Sequence, residues 1–126
     1  MAALVFDAGA LIALDRGDRA VGALLMLASE HDVEALTSSA AVAQAWRDPS
    51  RQARLARALS GFSEQPLDAA CARRCGLLLA RARSSDIVDA AVALAASHGD
   101  TVLTSDPSDI QRLLDVAGTA AQVRAV

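Results

Sequence analysis

The sequence predicts an α/β fold in which helices cover both faces of a parallel sheet. Short apolar runs alternate with segments of helical periodicity along the 126 residues, which is typical of repeated strand and helix units. Hydrophobic residues make up 53% of the chain, which is enough for a sizeable core. Because single domains most often contain about 100–150 residues, we expect one domain over residues 1–126.

The first part of the chain predicts a strand, a helix and a second strand. The first strand is an apolar run over residues 2–7. A helix is predicted over 18–31, where apolar side chains recur at helical spacing. These side chains are Val21, Leu24, Leu25, Leu27 and Ala28. A short second strand is predicted over 33–37, because the apolar positions there no longer follow a helical period.

Two helices follow in the middle of the sequence. Ser38 or Ser39 can cap a helix over 40–47, since a serine oxygen accepts from the free amides of a first turn. Pro49 ends that helix, because the residue before a proline is biased away from the helical region. The fixed φ of Pro49 also suits a first turn, which predicts the next helix over 50–60.

The last part of the chain continues the alternation. Asp68 can cap a helix over 69–83, and Ser84 or Ser85 can cap another over 86–97. The remaining predicted elements are an extended piece over 62–66, strands over 101–105 and 122–126, and a helix over 108–116. Strands separated by helices of this length indicate a parallel sheet that is covered on both faces.

The charge of the chain excludes one class of nucleic-acid-binding protein. The formal net charge of −3 argues against a strongly basic protein that binds by charge alone. A metal-dependent nuclease is compatible with this charge, because a bound metal supplies the positive charge that the surface lacks. The arginines form two local groups that can make basic edges around an acidic centre. These groups are Arg47, Arg51, Arg54 and Arg57, and Arg73, Arg74, Arg81 and Arg83.

The sequence predicts a cytoplasmic protein with no membrane partner. No stretch is apolar for long enough to span a bilayer, and the N-terminus lacks the positive region and the cleavage pattern of a secretory signal. Cys71 and Cys75 have no second cysteine pair and no nearby histidine to complete a zinc site. We therefore expect two reduced thiols with a structural role.

Four aspartates come at the ends or the starts of predicted elements. Asp7 ends the first predicted strand, and Asp106 directly follows the strand over 101–105. Because the carboxyl ends of parallel strands lie at one edge of a sheet, Asp7 and Asp106 meet there if their strands are neighbours. Asp86 and Asp89 are three residues apart in a predicted first turn, so they share one helix face. The sequence thus predicts an acidic cluster at this edge.

Such a cluster needs a counter-charge. Carboxylates within a few ångström of one another cannot all stay ionised without one. Asp7 also meets a desolvation cost at the end of an apolar strand unless something pairs with it. Oxygen-only ligands in an open site suit Mg²⁺ or Mn²⁺. The alternative is that the acids are ordinary caps and turn residues, as Asp86, Asp89, Asp106 and Asp109 can each be when taken singly.

Four segments carry a resemblance to a known family. They are residues 4–12, 40–47, 86–93 and 103–106. In order and spacing they resemble the motifs of PIN-domain ribonucleases, in particular the VapC-type toxins of bacterial toxin–antitoxin pairs. The resemblance runs over nearly the whole chain and depends on the set of motifs more than on any one of them.

The resemblance implies a PIN-like three-layer sandwich with a central parallel sheet and an acidic pocket. That pocket would bind Mg²⁺ or Mn²⁺ and cleave RNA, so the implied function is a metal-dependent endoribonuclease, the toxin of a toxin–antitoxin system. Asp7, Asp89 and Asp106 match the family's metal-binding and catalytic acids, and Asp86 would be an accessory catalytic acid. The implied partners are an RNA substrate and an antitoxin protein.

One position departs from the family's pattern. Gln44 stands where the family usually has a glutamate in the helix before the tryptophan–arginine pair. Glutamine keeps the size and one oxygen acceptor but loses the charge, so the site has one carboxylate fewer. This departure favours a second hypothesis, a catalytically weak or inactive PIN-like module that binds RNA or a partner protein without cutting.

The expected chemistry is hydrolysis of an RNA phosphodiester by metal-activated water. Arg47, Arg51 and Arg54 would contact the RNA backbone, or else form only a solvated helix face. The apolar stripe of the helix over 18–31 indicates a homodimer or a surface that an antitoxin helix covers. A third hypothesis is a different α/β domain, such as a response-regulator receiver. A receiver needs a lysine late in the chain, and this chain has none.

Overall fold

A computed structural model describes residues 2–126, which form five strands and seven helices. In chain order these are β1 (Leu4–Phe6), α1 (Ala8–Asp15), α2 (Arg19–Glu30), β2 (Ala35–Ser38), α3 (Ser39–Ala45), α4 (Ala53–Leu59), β3 (Ser63–Gln65), α5 (Ala69–Ala82), α6 (Ile87–Ala95), β4 (Thr101–Thr104), α7 (Pro107–Ala117) and β5 (Gln122–Ala125). Within residues 2–126, no helix combines the length and the apolar character that crossing a bilayer requires.

The five strands form one parallel sheet in the order β3-β2-β1-β4-β5. β1 is central, and its Phe6 is aligned with Thr37 of β2 on one side and with Leu103 of β4 on the other. All three residues of β1 are buried. Because successive side chains of a strand point to opposite faces, both faces of the sheet are covered. This confirms the predicted α/β fold with a central parallel sheet.

The core lies between the sheet and its helices. Its largest fully buried side chains include Phe6, Leu11, Leu55, Leu103 and Ile110. Phe6 also meets the half-buried Phe62 edge to face, with 4.8 Å between the ring centroids. The core thus joins the central strand to the connection between α4 and β3.

The predicted apolar stripe of α2 is divided between the core and the surface. Val21 is buried, and Leu24 and Leu25 pack against the core. Leu27 and the neighbouring Met26 are 51% and 65% exposed. The chain's own core therefore accounts for most of the stripe and leaves a small apolar surface on α2.

Helix α1 was not predicted from the sequence. Its residues Ala8, Ala10, Leu11 and Leu14 are buried, and the segment is apolar around most of its circumference. Because such a helix has no polar face, the amphipathic pattern that reveals a helix is missing. The helix packs against α2, α3, α4 and the sheet, so tertiary contacts rather than a periodic pattern identify it.

Two predicted helix starts are corrected by the structure. Helix α4 begins at Ala53 rather than at residue 50, because Asp48 accepts hydrogen bonds from the amide and the hydroxyl of Ser50 and holds a turn there. The cap of α6 is Asp86 and neither of the two preceding serines. The predicted capping roles of Ser38, at α3, and Asp68, at α5, are confirmed.

Candidate functional site

Asp7 lies where the two central strands end. The amide of Asp7 donates to the Leu103 carbonyl of β4 at 3.1 Å. Its carboxylate accepts from the amide of Ala10 at 2.7 Å, as the N-cap of α1, and from the amide of Ser105 at 3.1 Å. The side chain is 3% exposed. Asp7 therefore joins the end of β1, the start of α1 and the end of β4.

Gly9 allows these segments to approach closely. A Cβ atom at this position would lie 2.6 Å from the Cβ of Ser105 and 3.4 Å from a carboxylate oxygen of Asp7. The first of these distances is a clash, so any larger residue would push the start of α1 away from Ser105. The absence of a side chain at Gly9 thus maintains the packing beside Asp7.

Asp86 and Asp89 occupy the start of α6. Asp86 is the exposed N-cap, and its Oδ1 accepts from the amide of Asp89 at 2.9 Å. Asp89 is 5% exposed, and its Oδ2 has no hydrogen-bond partner among the described residues. A buried carboxylate oxygen without a partner is costly, so it indicates a site for a positively charged ligand such as a metal ion.

Asp106 and Asp109 project from the start of α7. Asp106 is the N-cap by position, but its carboxylate makes no capping hydrogen bond, and its amide donates to the Thr104 hydroxyl at 2.8 Å. One carboxylate oxygen of each of Asp89, Asp106 and Asp109 lies within 4.8 Å of the other two. Asp109 was not among the predicted site residues. Its spacing of three from Asp106 was the available signal, because it places both on one helix face.

The electrostatics of the cluster are unfavourable without a cation. Burial, followed by the charges of neighbouring carboxylates, raises the pKa of Asp89 from 3.8 to about 7. In decreasing order of effect these neighbours are Asp86, Asp106, Asp7 and Asp109. Burial also raises the pKa of Asp7, although the Thr104 hydroxyl and the amides of Ala10 and Ser105 oppose the shift. An acidic cluster of this kind can bind a metal ion.

Gln44 lines a cleft between α1 and α3. It is exposed on α3 and lines a cavity of about 420 Å³. The other lining residues are Ile12, Asp15, Arg16, Ala45, Arg47 and Gln52. The carboxylate in this cleft is that of Asp15, which accepts from the Gln52 amide group at 3.3 Å. None of the predicted acids is among the residues that line this cavity.

The three predicted RNA-contacting arginines have different surroundings. Arg47 donates from Nη1 to the carbonyls of Ala43 and Trp46, at 2.9 and 2.7 Å. Arg51 forms an exposed ion pair with Asp48 at 3.7 Å. The Arg54 guanidinium lies directly over Gly17.

Arg51 and Arg54 line a second cavity, of about 440 Å³, together with Asp15, Ala53 and Arg57. Arg57, which sequence reasoning did not select as an RNA contact, therefore belongs with two of the predicted arginines. Its spacing of three from Arg54 on α4 was the signal that could have identified it.

No family model and no curated protein matches the chain. The chain is similar to several solved structures, including the following two. A chain of VapBC2 from Rickettsia felis, bound to a DNA fragment from their promoter, matches 96% of this chain over 98% of its own length, with a TM-score of 0.65 and 14% identity. A chain of FitAB bound to an IR36 DNA fragment matches 95% of this chain over 94% of its own length, with a TM-score of 0.63 and 18% identity.

At these identities the similarity establishes the fold. It extends over nearly the whole of the three chains, so no large element is added or missing. The resemblance predicted from the four motifs is thereby confirmed at the level of structure: this chain has the PIN-like α/β sandwich fold of the VapC-type toxins.

Proposed function

We propose that this chain is a metal-dependent endoribonuclease, the toxin of a toxin–antitoxin system, which hydrolyses RNA phosphodiesters at its acidic cluster. The observation that carries the proposal is the Oδ2 of Asp89. This oxygen is buried without a partner, and a carboxylate oxygen of Asp89 lies within 4.8 Å of carboxylate oxygens of Asp106 and Asp109. Helix caps alone do not explain such an arrangement, because a cap needs no second and third carboxylate around it.

The residues of the cluster fit a hard divalent cation such as Mg²⁺ or Mn²⁺. They offer only oxygen ligands, and Asp106 and Asp109 are exposed, which leaves room for water and substrate. Asp89 and Asp106 would hold the ion with Asp109, and Asp7 would complete the negative charge around it. When bound, such an ion supplies a water of lowered pKa and neutralises charge on the phosphate.

The protein's own side chains would position the reacting groups. Asp7 is held by two amides and would keep the ends of β1 and β4 in place as charge changes. Asp86 uses only Oδ1 in its cap, so its exposed Oδ2 is available to accept a proton from an attacking water as a general base. The Ser105 amide, the Thr104 hydroxyl and the Ala10 amide stabilise the ionised form of Asp7.

RNA would reach this cluster across the arginine cleft of α4. The carboxylate of Asp15 is the only acid among the residues that line the cleft, whereas Arg51, Arg54 and Arg57 contribute three positive charges. Contacts from arginine to phosphate are independent of base identity and supply much of the affinity for a nucleic-acid backbone. We assign contacts with the substrate's phosphate backbone to Arg51, Arg54 and Arg57. Arg47 would contribute less, because its Nη1 already donates to two carbonyls.

The decisive experiment is cleavage of a mixed RNA pool with Mg²⁺ or Mn²⁺. The wild-type protein is compared with Asp89→Asn and with Asp68→Asn, a matched change at the N-cap of α5, outside the cluster. We expect the wild type and Asp68→Asn to cut, and Asp89→Asn to be slower by about a hundredfold or more. Cleavage by Asp89→Asn at the wild-type rate would contradict the proposed active site.

A second candidate function is a PIN-like module that binds RNA or a partner protein without cutting. The observation that favours it is Gln44, a neutral amide where the family usually has a glutamate. Under this alternative the wild type and the Asp7→Ala variant both leave RNA intact even at high metal concentration. Gain of cleavage in Gln44→Glu would then identify the lost carboxylate as the cause.

We also propose an antitoxin partner and a homodimer. The similar structures are two-component assemblies by name, VapBC2 and FitAB, each bound to DNA. On this chain the exposed Met26 and Leu27 of α2 provide an apolar surface for such contacts. A monomer in light scattering would contradict the homodimer.

We propose further that residues 1–126 act as one domain, in the cytoplasm where the RNA substrate is found.

A further inference from the structure

Two arginines form hydrogen bonds between α5 and α7, each to a carbonyl near the C-terminal end of the other helix. Arg81 of α5 donates from Nη2 to the Val116 carbonyl of α7 at 2.9 Å, and Arg112 of α7 donates from Nη2 to the Ala82 carbonyl of α5. The last four carbonyls of a helix have no partner within it, and positive charge is favourable beside them. Each helix therefore caps the other.

The bond from Arg112 holds a turn of unusual conformation. Ala82 ends α5, and Arg83 follows it in the left-handed region with φ 55° and ψ 49°. The amides of Arg83 and Ser84 both donate to the Leu79 carbonyl. A residue with a side chain is disfavoured in this region, so contacts from outside the turn are needed to hold it. The guanidinium of Arg112 provides such a contact.

This turn leads directly to one half of the acidic cluster. Three residues after Arg83 comes Asp86, which caps α6 and accepts from the amide of Asp89. The other half of the cluster starts α7, where Asp109 precedes Arg112 by one helical turn. Besides the direct packing of α6 against α7, the Arg112 side chain thus links the turn that precedes Asp86 and Asp89 to the helix that carries Asp106 and Asp109.

We propose that Arg112 is a positioning residue, which sets the distance between Asp89 and the pair formed by Asp106 and Asp109. This inference rests on the proposed metal-dependent function. Repulsion among the carboxylates tends to separate the start of α6 from the start of α7. The bond from Arg112 to Ala82 opposes that separation at the turn preceding α6. Arg81 makes the same kind of bond about one turn further along α7, at Val116, farther from Asp106 and Asp109, so we expect it to affect this distance less.

The test compares Arg112→Met with Arg81→Met as a matched control. Each variant loses one inter-helix cap and keeps most of the side-chain volume, so we expect similar losses in urea unfolding. In metal-free protein we expect only Arg112→Met to speed hydrogen exchange at the amides of Asp89 and Ala90, by about tenfold, because α6 starts there. Arg112→Lys should restore most of the protection, since lysine can still donate to Ala82. Equal exchange in the two methionine variants would overturn the proposal.

Binding of Mn²⁺, followed by electron paramagnetic resonance, provides the second measurement. We expect Arg112→Met to bind about tenfold more weakly than Arg81→Met, because its acidic ligands are no longer held at the right separation. Equal affinity in the two variants would also overturn the role of Arg112. A wild-type protein that binds no Mn²⁺ would instead contradict the proposed function, and the exchange data from metal-free protein would still decide the role of Arg112.

Discussion

At the scale of single residues, burial and neighbouring charge determine the state of Asp89. The pKa of this carboxyl group is raised from 3.8 to about 7, first by burial and then by other carboxylates. A raised value means that the folded state favours the protonated form. Near neutral pH in the absence of metal, a large fraction of the molecules therefore carry a proton on Asp89. Binding of a cation would displace this proton.

This pKa shift predicts how the stability of metal-free protein depends on pH. Well below pH 3.8, Asp89 is protonated in both the folded and the unfolded chain, so its ionisation costs no stability in that range. As the pH rises toward the folded pKa of about 7, the unfolded state releases its proton first, so stability falls. We expect a loss of up to about 3 kcal/mol between about pH 5 and about pH 8, measured by urea unfolding in EDTA. Asp89→Asn should lack this component, and an unchanged slope in that variant would refute the assignment.

A second prediction at this scale concerns Gly9. In Gly9→Ala the new Cβ would clash with Ser105, which contacts Asp7 through its amide. We expect a destabilisation of about 1–3 kcal/mol in urea unfolding, together with weaker Mn²⁺ binding. Gly76→Ala in α5 is the matched control, because nothing lies within 4 Å of its added Cβ, and it should leave stability unchanged or raise it. Equal effects of the two substitutions would argue against close packing at Gly9.

At the scale of elements, the site is built from helix starts. Asp7, Asp86 and Asp106 occupy the N-cap positions of α1, α6 and α7, and Asp7 and Asp106 follow neighbouring parallel strands. The free amides and the dipoles of these helices favour negative charge at these positions, which partly offsets the repulsion among the acids. The carboxylates of Asp7 and Asp86 make capping hydrogen bonds to their helices, but the carboxylate of Asp106 makes none. Because the Asp106 carboxylate does not cap α7, it remains available to bind a ligand.

Removing the cap of α6 should therefore have two separable effects. Asp86→Ala deletes the hydrogen bond to the Asp89 amide and is expected to cost about 1 kcal/mol in urea unfolding. Asp68→Ala deletes the equivalent bond to Cys71 in α5 and should cost about as much. Only Asp86→Ala should weaken Mn²⁺ binding in calorimetry. If both variants lowered the affinity equally, the effect would reflect general destabilisation.

At the scale of the whole molecule, charge is segregated despite the net value of −3. The acids gather where the central strands end, and Arg51, Arg54 and Arg57 gather around the cleft of α4. In residues 2–126 the ion pair between Arg51 and Asp48 is the only one between side chains. The other cleft arginines therefore keep their charge available for an anionic partner.

This distribution predicts the salt dependence of RNA binding. In an Asp7→Asn background, which we expect not to cut, Arg54→Ala and Arg57→Ala should each weaken the proposed binding to single-stranded RNA and lower the slope of log affinity against log salt by about one. The control is Arg73→Ala, which removes a positive charge on α5, away from the cleft. Fluorescence anisotropy over a salt series provides the measurement. An equal change in the control would indicate only nonspecific attraction.

Part of the fold and of the acidic site could be predicted from the sequence, and part could not. The strands, the place of Asp7 at the end of the first one and the capping role of Asp68 were predicted because their signals are local: an apolar run, or a polar residue before a helical pattern. Helix α1 was missed because it is buried around most of its circumference and so has no amphipathic pattern. The role proposed for Arg112 was also inaccessible, because its partner, the Ala82 carbonyl, lies 30 residues away in sequence.

The sequence by itself determined the alternation of strands and helices, and with it the edge at which Asp7 and Asp106 lie. Those features follow from periodicity and from the geometry of parallel strands, which act over a few residues at a time. Only the tertiary structure decided that Asp109 joins Asp89 and that Gln44 lines a cleft with Asp15 and Arg47. Distances between helices depend on how side chains pack across the whole core, and no local pattern in the chain encodes them.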